Sequence, residues 1–382
     1  MPHCNKQMIS FFLTTKCNLC CLYCYNLKER AKIEEQSVSY EIAKAGIDWY
    51  FANNESRHVR FYGPGEPTQE FMLMKDIVEY AKASPDRGKD VSAEIQTNGV
   101  FGEQVREWML DNMNIIWMSF DGTKDIQDYY RPLNPEHEKD FGGRTSAEVL
   151  EENILWFNQN KGSRKLMVGA RLTITEKNID RQHEMAEYFY SLGIRYVWTN
   201  PLFSDVNEKP VCDDKEKRGR IGFDMDKYLD YYINTYNAFK GKGLFWGSFL
   251  AINFDGESPF HCRACTPTPH ITPDGYLSAC DMVLLGEKPY HMEPFIYGKW
   301  NPDTKKFDIY EEKMKALRER HIENMAHCKN CRVRLHCGGY CLGEVQNEVG
   351  NLLGQTPKIC KAVIRLFDAL GAPLNKYDFF HP

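Results

Sequence analysis

No stretch of this 382-residue sequence stays apolar over the length that a membrane span requires. The opening residues, MPHCNKQMISFFLTTK, gather only five apolar residues in MISFFL, broken by a serine, too short for the core of a secretory signal. Basic charge is not in excess either: 48 lysines and arginines stand against 53 acidic residues, a net charge of -5 with a pI near 6.2. That balance leaves no electropositive footprint for nucleic acid or anionic lipid. The expectation is a cytoplasmic protein with no nucleic-acid and no membrane partner.

Apolar residues and cysteine are what the sequence does have. At 42% hydrophobic and 13% aromatic, the chain can bury a large core. Fourteen cysteines in a reducing compartment read as metal ligands or reactive thiols rather than disulfides. Their distribution is uneven: five lie in the first 24 residues, Cys212 stands alone, and eight fall between Cys262 and Cys360.

Between these groups the chain alternates β-like and helix-like stretches. Candidate strands cover 8–15, 58–63, 91–97, 115–120, 166–175 and 195–200, and candidate helices lie near 38–53, 70–83, 103–112, 145–159 and 179–192. Such alternation predicts an α/β fold with parallel strands and crossover helices, and six repeats predict an open, partial (β/α)6 barrel of TIM-like type. In such barrels chemistry gathers at the C-terminal ends of the strands.

The first candidate strand is followed by Cys17, Cys21 and Cys24, spaced C-x3-C-x2-C, with Tyr25 next. Three thiolates on one loop can hold three irons of a four-iron, four-sulfur (4Fe–4S) cluster and leave the fourth iron open. A zinc site completed by Cys4 or Cys20, or simply buried reduced thiols, fits the same residues. Cys17, Cys20 and Cys24 form a second triple with the spacings reversed. The second candidate strand leads into GPGEP (63–67), which alone reads as a turn; the third leads into IQTNG (95–99) and the fourth into SFDGTKDIQDYYRP (119–132).

This succession resembles the radical S-adenosylmethionine (SAM) superfamily, whose signature is C-x3-C-x2-C followed by an aromatic residue. The resemblance prefers Cys21 to Cys20 as the middle ligand. GPGEP stands where that family usually has Gly-Gly-Glu-Pro, so Gly63, Gly65 and Glu66 would hold the methionine ammonium. Pro64 replaces a glycine there but keeps its carbonyl. By the same likeness Tyr23, Tyr25, Asn98, Ser119, Arg131 and Leu172 would contact SAM, with Arg131 suited to a carboxylate. Gln127 occupies a position where the family often has histidine.

The C-terminal cysteines are a separate signal. Cys262, Cys265 and Cys280 are followed by C-x2-C-x5-C-x3-C from Cys328 through Cys331 and Cys337 to Cys341, and Cys360 closes the set. Eight thiols equal two four-ligand sites, and the count alone does not separate iron from zinc. The spacing resembles the SPASM domain, which carries auxiliary clusters in radical SAM enzymes that modify peptides and proteins. That likeness implies one cluster on Cys262, Cys265, Cys280 and Cys341, and another on Cys328, Cys331, Cys337 and Cys360. The whole would hold three 4Fe–4S clusters, one of them binding SAM. Cys4, Cys20 and Cys212 are left over.

The family's chemistry is reductive cleavage of SAM to a 5′-deoxyadenosyl radical, which abstracts a substrate hydrogen; auxiliary clusters can then accept an electron. Asp281, directly after Cys280, matches the general base of anaerobic sulfatase-maturing enzymes, and a turn or supporting role fits it equally. The expected function is oxidative modification of a ribosomally made peptide by cross-link, thioether or dehydrogenation. The alternative is a sulfatase maturase forming formylglycine from Cys or Ser; a zinc-stabilised binding protein is the reading from another class. The partners implied are a peptide or protein substrate and an electron donor of flavodoxin or ferredoxin type. Expected divisions are a barrel over 1–200, a bridge over 201–260, the cysteine-rich domain over 261–365 and a tail over 366–382. With 16 residues before the first motif, no N-terminal leader-binding domain is expected. In the bridge, DDKEKRGR reads as a solvated run and YLDYYINTYNAF as an amphipathic helix packed into the core.

Overall fold

The computed structural model describes residues 7–24, 26, 33–83, 90–202 and 221–376. Cys4, Tyr25, Cys212 and the charged run at 213–220 lie outside the described residues. Among the described residues the strands are, in chain order, β1 (Ile9–Phe12), β2 (His58–Tyr62), β3 (Ser92–Thr97), β4 (Ile115–Ser119), β5 (Met167–Ile174), β6 (Tyr196–Pro201), β7 (Phe245–Ser248), β8 (His270–Ile271), β9 (Tyr276–Ser278), β10 (Ile296–Asn301) and β11 (Lys306–Ile309). All six expected strands are present. So are the five expected helices, as Tyr40–Asn53, Phe71–Ala83, Glu103–Asn112, Ser146–Asn160 and Gln182–Ser191. No helix among the described residues is long and apolar enough to cross a membrane.

The chain divides into two compact units. One comprises residues 1–16, 32–95 and 256–357, the other 17–31, 96–255 and 358–382. In the first, β1 pairs in parallel with β2 and β2 with β3, while β8 joins the other side of β1. From β8 the sheet continues antiparallel through β9 and β10 to β11. β1 is buried along its whole length, as expected of a parallel strand covered on both faces. Phe11 and Phe61 stack at 6.1 Å in its core, each burial worth roughly 1.5–3 kcal/mol.

The register across this unit places a row of polar residues side by side. Ser10 is opposite both His270 and Arg60, and Arg60 is opposite Glu94. Residues in register share a face of the sheet, so four strands present His270, Ser10, Arg60 and Glu94 together, all buried.

In the second unit β4, β5, β6 and β7 form a parallel run. β7 was not expected: its sequence, FWGS, is too short for alternation to show, and Gly247 is there because a Cβ would fall 2.6 Å from the Trp198 ring. The helix Met225–Phe239 has Tyr228, Tyr232 and Tyr236 buried at four-residue spacing, in agreement with the expected core packing. Their polar ends are satisfied inside: the Tyr228 hydroxyl bonds Thr199 Oγ1 at 2.9 Å and Ser248 Oγ at 2.7 Å, and the Tyr232 hydroxyl donates to Trp246 O at 2.9 Å. Thr145 and Glu148 form a reciprocal capping box at the start of Ser146–Asn160.

Candidate active site

The cysteine loop belongs to the second unit, where the segment after β4 clamps it. Cys20 N donates to Pro132 O at 2.9 Å, Leu22 N to Tyr130 O at 2.9 Å, and Asn134 N to Asn18 O at 2.9 Å. Beneath it, Leu19 packs with Val100 and Val149, against which Cys17 and Cys21 rest. Cys17, Cys21 and Cys24 are in no disulfide, whereas Cys20 is disulfide-bonded, which corrects the expectation that the cysteines stay unbridged.

Two nitrogen donors face the sulfurs. Asn98 Nδ2 lies 4.0 Å from Cys17 Sγ, and Arg131 Nη1 lies 4.0 Å from Cys21 Sγ. Burial pushes the Cys21 thiol up, Arg131 opposes this, and Cys24 and Cys17 add to it. Three thiols on one loop beside an amide and a guanidinium form a donor set that an iron cluster suits, with donors placed to hydrogen-bond its sulfurs.

Asp121, quoted in SFDG but given no role by the sequence, is the hub of this loop. Fully buried, it accepts from the Tyr23 hydroxyl, from Arg131 Nε at 2.9 Å and from Thr173 N at 3.0 Å. Burial raises the Tyr23 phenol, so it stays protonated and donates. Burial would lower Arg131, but Asp121 outweighs it and the guanidinium is held well above its usual range. Arg131 also sits over the Tyr23 ring at 5.2 Å. Gln127 is wholly buried; it accepts from Asp121 N at 2.9 Å and donates to Ser119 O at 3.4 Å. Ser119 and Leu172 are buried at the end of β4 and within β5.

In the first unit GPGEP follows β2. A Cβ on Gly65 would lie 2.3 Å from Lys16 O and 2.5 Å from Thr14 O, so only glycine lets this loop meet the end of β1. Glu66 N donates to Lys16 O at 2.8 Å. The buried Glu66 carboxylate caps the next turn, accepting from Thr68 N at 3.1 Å and Thr68 Oγ1 at 2.8 Å.

Asp281 meets the polar row of the same unit. Its Oδ1 lies 3.1 Å from His270 Nε2 and its Oδ2 3.4 Å from Arg60 Nη1, while its side chain remains one-third exposed. Behind it, Arg60 Nε lies 3.3 Å from Glu94 Oε1, Glu94 Oε2 lies 3.1 Å from His58 Nε2, and His58 Nδ1 lies 2.6 Å from Ser92 Oγ. Burial alone would raise Glu94, but His58 and Arg60 hold it well below the carboxylate range. Burial drives His270 down to about 3, with Arg263 and Arg60 acting the same way against Asp281. The result is an anion fixed between a neutral imidazole and a permanent cation, with one side open.

Among the C-terminal thiols, Cys265 and Cys280 are buried, and Cys262 and Cys341 are partly so. Burial raises Cys280, and Cys341 and Cys262 raise it further; Cys341 is raised by burial and then by Cys262. These three thiols therefore lie within each other's fields. Cys328, Cys331 and Cys337 follow along one compact stretch, with Cys331 N donating to Cys328 O at 3.0 Å. Cys360 is partly buried on the helix Pro357–Leu370. Among the described residues no three His, Cys, Asp or Glu side chains converge tightly enough to grip a single metal ion.

No family model matches the chain. It is 25% identical over 393 residues to a serine-type anaerobic sulfatase-maturating enzyme of Klebsiella aerogenes, covering 95% of this chain and 84% of that one. It is 24% identical over 394 residues to the radical SAM cyclopropyl synthase TigE of Paramaledivibacter caminithermalis, covering 97% and 76%. Its fold is that of native anSMEcpe with bound AdoMet and Cp18Cys peptide, at a TM-score of 0.71 and 14% identity over 95% of this chain and 96% of that one.

Proposed function

We propose that this chain, a radical SAM enzyme with a cysteine-rich C-terminal SPASM region, oxidatively modifies a residue of a ribosomally made peptide in the cytoplasm. The observation that carries the reading is the loop of three thiols outside any disulfide, Cys17, Cys21 and Cys24, with Asn98 directed at the Cys17 sulfur and Arg131 at that of Cys21. Similarity along nearly all of this chain to a radical SAM cyclopropyl synthase and a sulfatase-maturating enzyme supports it. In this reading Cys17, Cys21 and Cys24 hold the SAM-binding cluster. Cys262, Cys265, Cys280 and Cys341 hold one auxiliary cluster, and Cys328, Cys331, Cys337 and Cys360 the other. A flavodoxin- or ferredoxin-type donor supplies the electron.

Held by Cys17, Cys21 and Cys24, the first cluster with SAM would supply the radical chemistry that removes a substrate hydrogen. The chain's residues do the rest by position. Asp121 fixes Tyr23 and Arg131 on the SAM-binding loop, with Ser119, Asn98 and Leu172 on the strands and loops around it. Gly65 keeps the backbone carbonyls of the Gly-Pro-Gly turn close to the end of β1, and Gly63 and Glu66 flank them. Asp281 accepts the proton that the substrate releases on oxidation, its oxygens aligned by His270 and Arg60.

That placement of Asp281 also favours the second reading, a sulfatase maturase making formylglycine. The deciding experiment incubates reduced enzyme and SAM with a cysteine- or serine-containing sulfatase-motif peptide. Mass spectrometry showing an aldehyde would overturn the first reading in favour of the second. An unmodified peptide, with SAM still cleaved, would uphold it.

A further inference from the structure

Arg320 is completely buried, yet its guanidinium is bound by neutral groups alone. Nε donates to Leu352 O at 2.8 Å, Nη1 to Met325 Sδ at 2.8 Å and to Gly338 O at 3.4 Å, and Nη2 to Gly339 O. Among the described residues no carboxylate pairs with it. Other buried arginines behave differently: Arg60 pairs with Glu94 and Asp281, and Arg106 with Glu152. A guanidinium does not shed its proton, and a buried charge without a counter-ion is expensive.

The surroundings point to where the missing negative charge goes. Gly338 and Gly339 lie between Cys337 and Cys341, and a Cβ on Gly339 would fall 2.0 Å from Arg320 Nη1. A Cβ on Gly338 would fall 2.3 Å from the carbonyl carbon of Phe260, two residues before Cys262. The paired glycines of CGGYC thus admit the guanidinium on one side and the Cys262 loop on the other. Through Gly339 O, two residues before Cys341, the guanidinium is fixed to the stretch that leads into that thiol. A four-iron cluster with four thiolate ligands is net negative, and its potential responds to nearby charge.

We propose that Arg320 is the fixed buried counter-cation of the auxiliary cluster held by Cys262, Cys265, Cys280 and Cys341, and that it raises that cluster's reduction potential. The inference rests on the cluster assignment above. A cation beside the cluster favours its more negative, reduced state, which makes the cluster a better electron acceptor.

The test uses the full-length chain with Cys17, Cys21 and Cys24 replaced by Ala, so that only auxiliary clusters report. Iron per chain and midpoint potentials, by electron paramagnetic resonance during redox titration, are compared for Arg320, Arg320→Lys and Arg320→Gln. Gln keeps hydrogen bonding without charge, and Lys keeps charge without the fork. A potential shifted negative in Gln and near the parent value in Lys supports the proposal. So does iron loading in Lys together with its loss in Gln. An unchanged potential in Gln, an equal shift in both, or failure of both to load iron overturns it and leaves Arg320 a staple for carbonyls. A parent chain that holds no iron at all would instead sink the cluster assignment.

Discussion

Arg60 and Asp281 lie 221 positions apart in sequence and 3.4 Å apart in space, and Arg60 is shared between Asp281 and Glu94. One buried cation thus serves an inner carboxylate, sealed against His58, and an outer one that keeps contact with solvent. Removing Arg60 should strand Glu94. For Arg60→Leu we expect a loss of about 3–5 kcal/mol in denaturant unfolding, the range for breaking a buried ion pair. A loss under about 1 kcal/mol would mean that the pair does not hold the row together.

His270 resists protonation in the folded protein, at about 3 against an ordinary 6.5. Between these values the unfolded chain binds the extra proton and the folded chain does not. The stability from this site is therefore complete above pH 6.5 and is lost as pH falls toward 3. From pH 6.5 down to about pH 5 the loss should approach 2 kcal/mol, from about 1.4 kcal/mol per pH unit. Between about pH 7 and about pH 5 the urea midpoint should fall less in His270→Asn than in the parent; equal falls would refute the assignment.

Gly65 is a position of close backbone approach, with Lys16 O at 2.3 Å and Thr14 O at 2.5 Å from an added Cβ. Gly65→Ala should cost roughly 1–3 kcal/mol as overpacking and push the turn from β1. Weakened SAM binding in equilibrium dialysis, with the iron content retained, is the expected signature. Parental affinity would show that the turn does not need its close approach to bind SAM.

Replacing Cys17, Cys21 and Cys24 together by Ala should abolish SAM cleavage while eight of eleven proposed ligands remain. Iron per chain should fall to roughly two thirds of the parent value, since two of three clusters survive. Cleavage that persisted would refute the loop's role.

Asp281→Asn removes basicity at nearly constant volume. Because the proton leaves after hydrogen abstraction, 5′-deoxyadenosine should still form while modified peptide falls by about 10²- to 10⁴-fold, the usual contribution of a general base. Iron content should be unchanged. Product formed in step with 5′-deoxyadenosine would exclude Asp281 as the base.

Much of this was legible in the sequence because it was written locally. The strand ends carrying Cys17–Cys24, GPGEP and SFDG follow runs whose apolar character marks them as buried strands. Asp121 was on the page without a role, since nothing local says that one carboxylate will take donors from Tyr23, Arg131 and Thr173. The row His270, Ser10, Arg60 and Glu94 was invisible for a similar reason: it exists only through the register of four strands drawn from distant parts of the chain. β8 and β9, at two and three residues, are too short to show a period.

The lacing of the Cys262 loop to the stretch before Cys341 bears on how the protein comes to be made. Ser258 N donates to Leu335 O at 2.8 Å, Ile322 N to Pro259 O at 3.1 Å, and His261 Nδ1 lies 3.0 Å from Cys337 O. Each tie closes a long loop, and such contacts form slowly. On the ribosome, Cys262, Cys265 and Cys280 emerge well before Cys341, and until it arrives they lack their partner loop. With the cluster proposed for these four thiols, metal delivery to this region would be a late event in biogenesis. The nascent thiols spend the interval exposed to oxidation, so the yield of loaded protein should depend on how oxygen and iron are supplied during translation as well as afterwards.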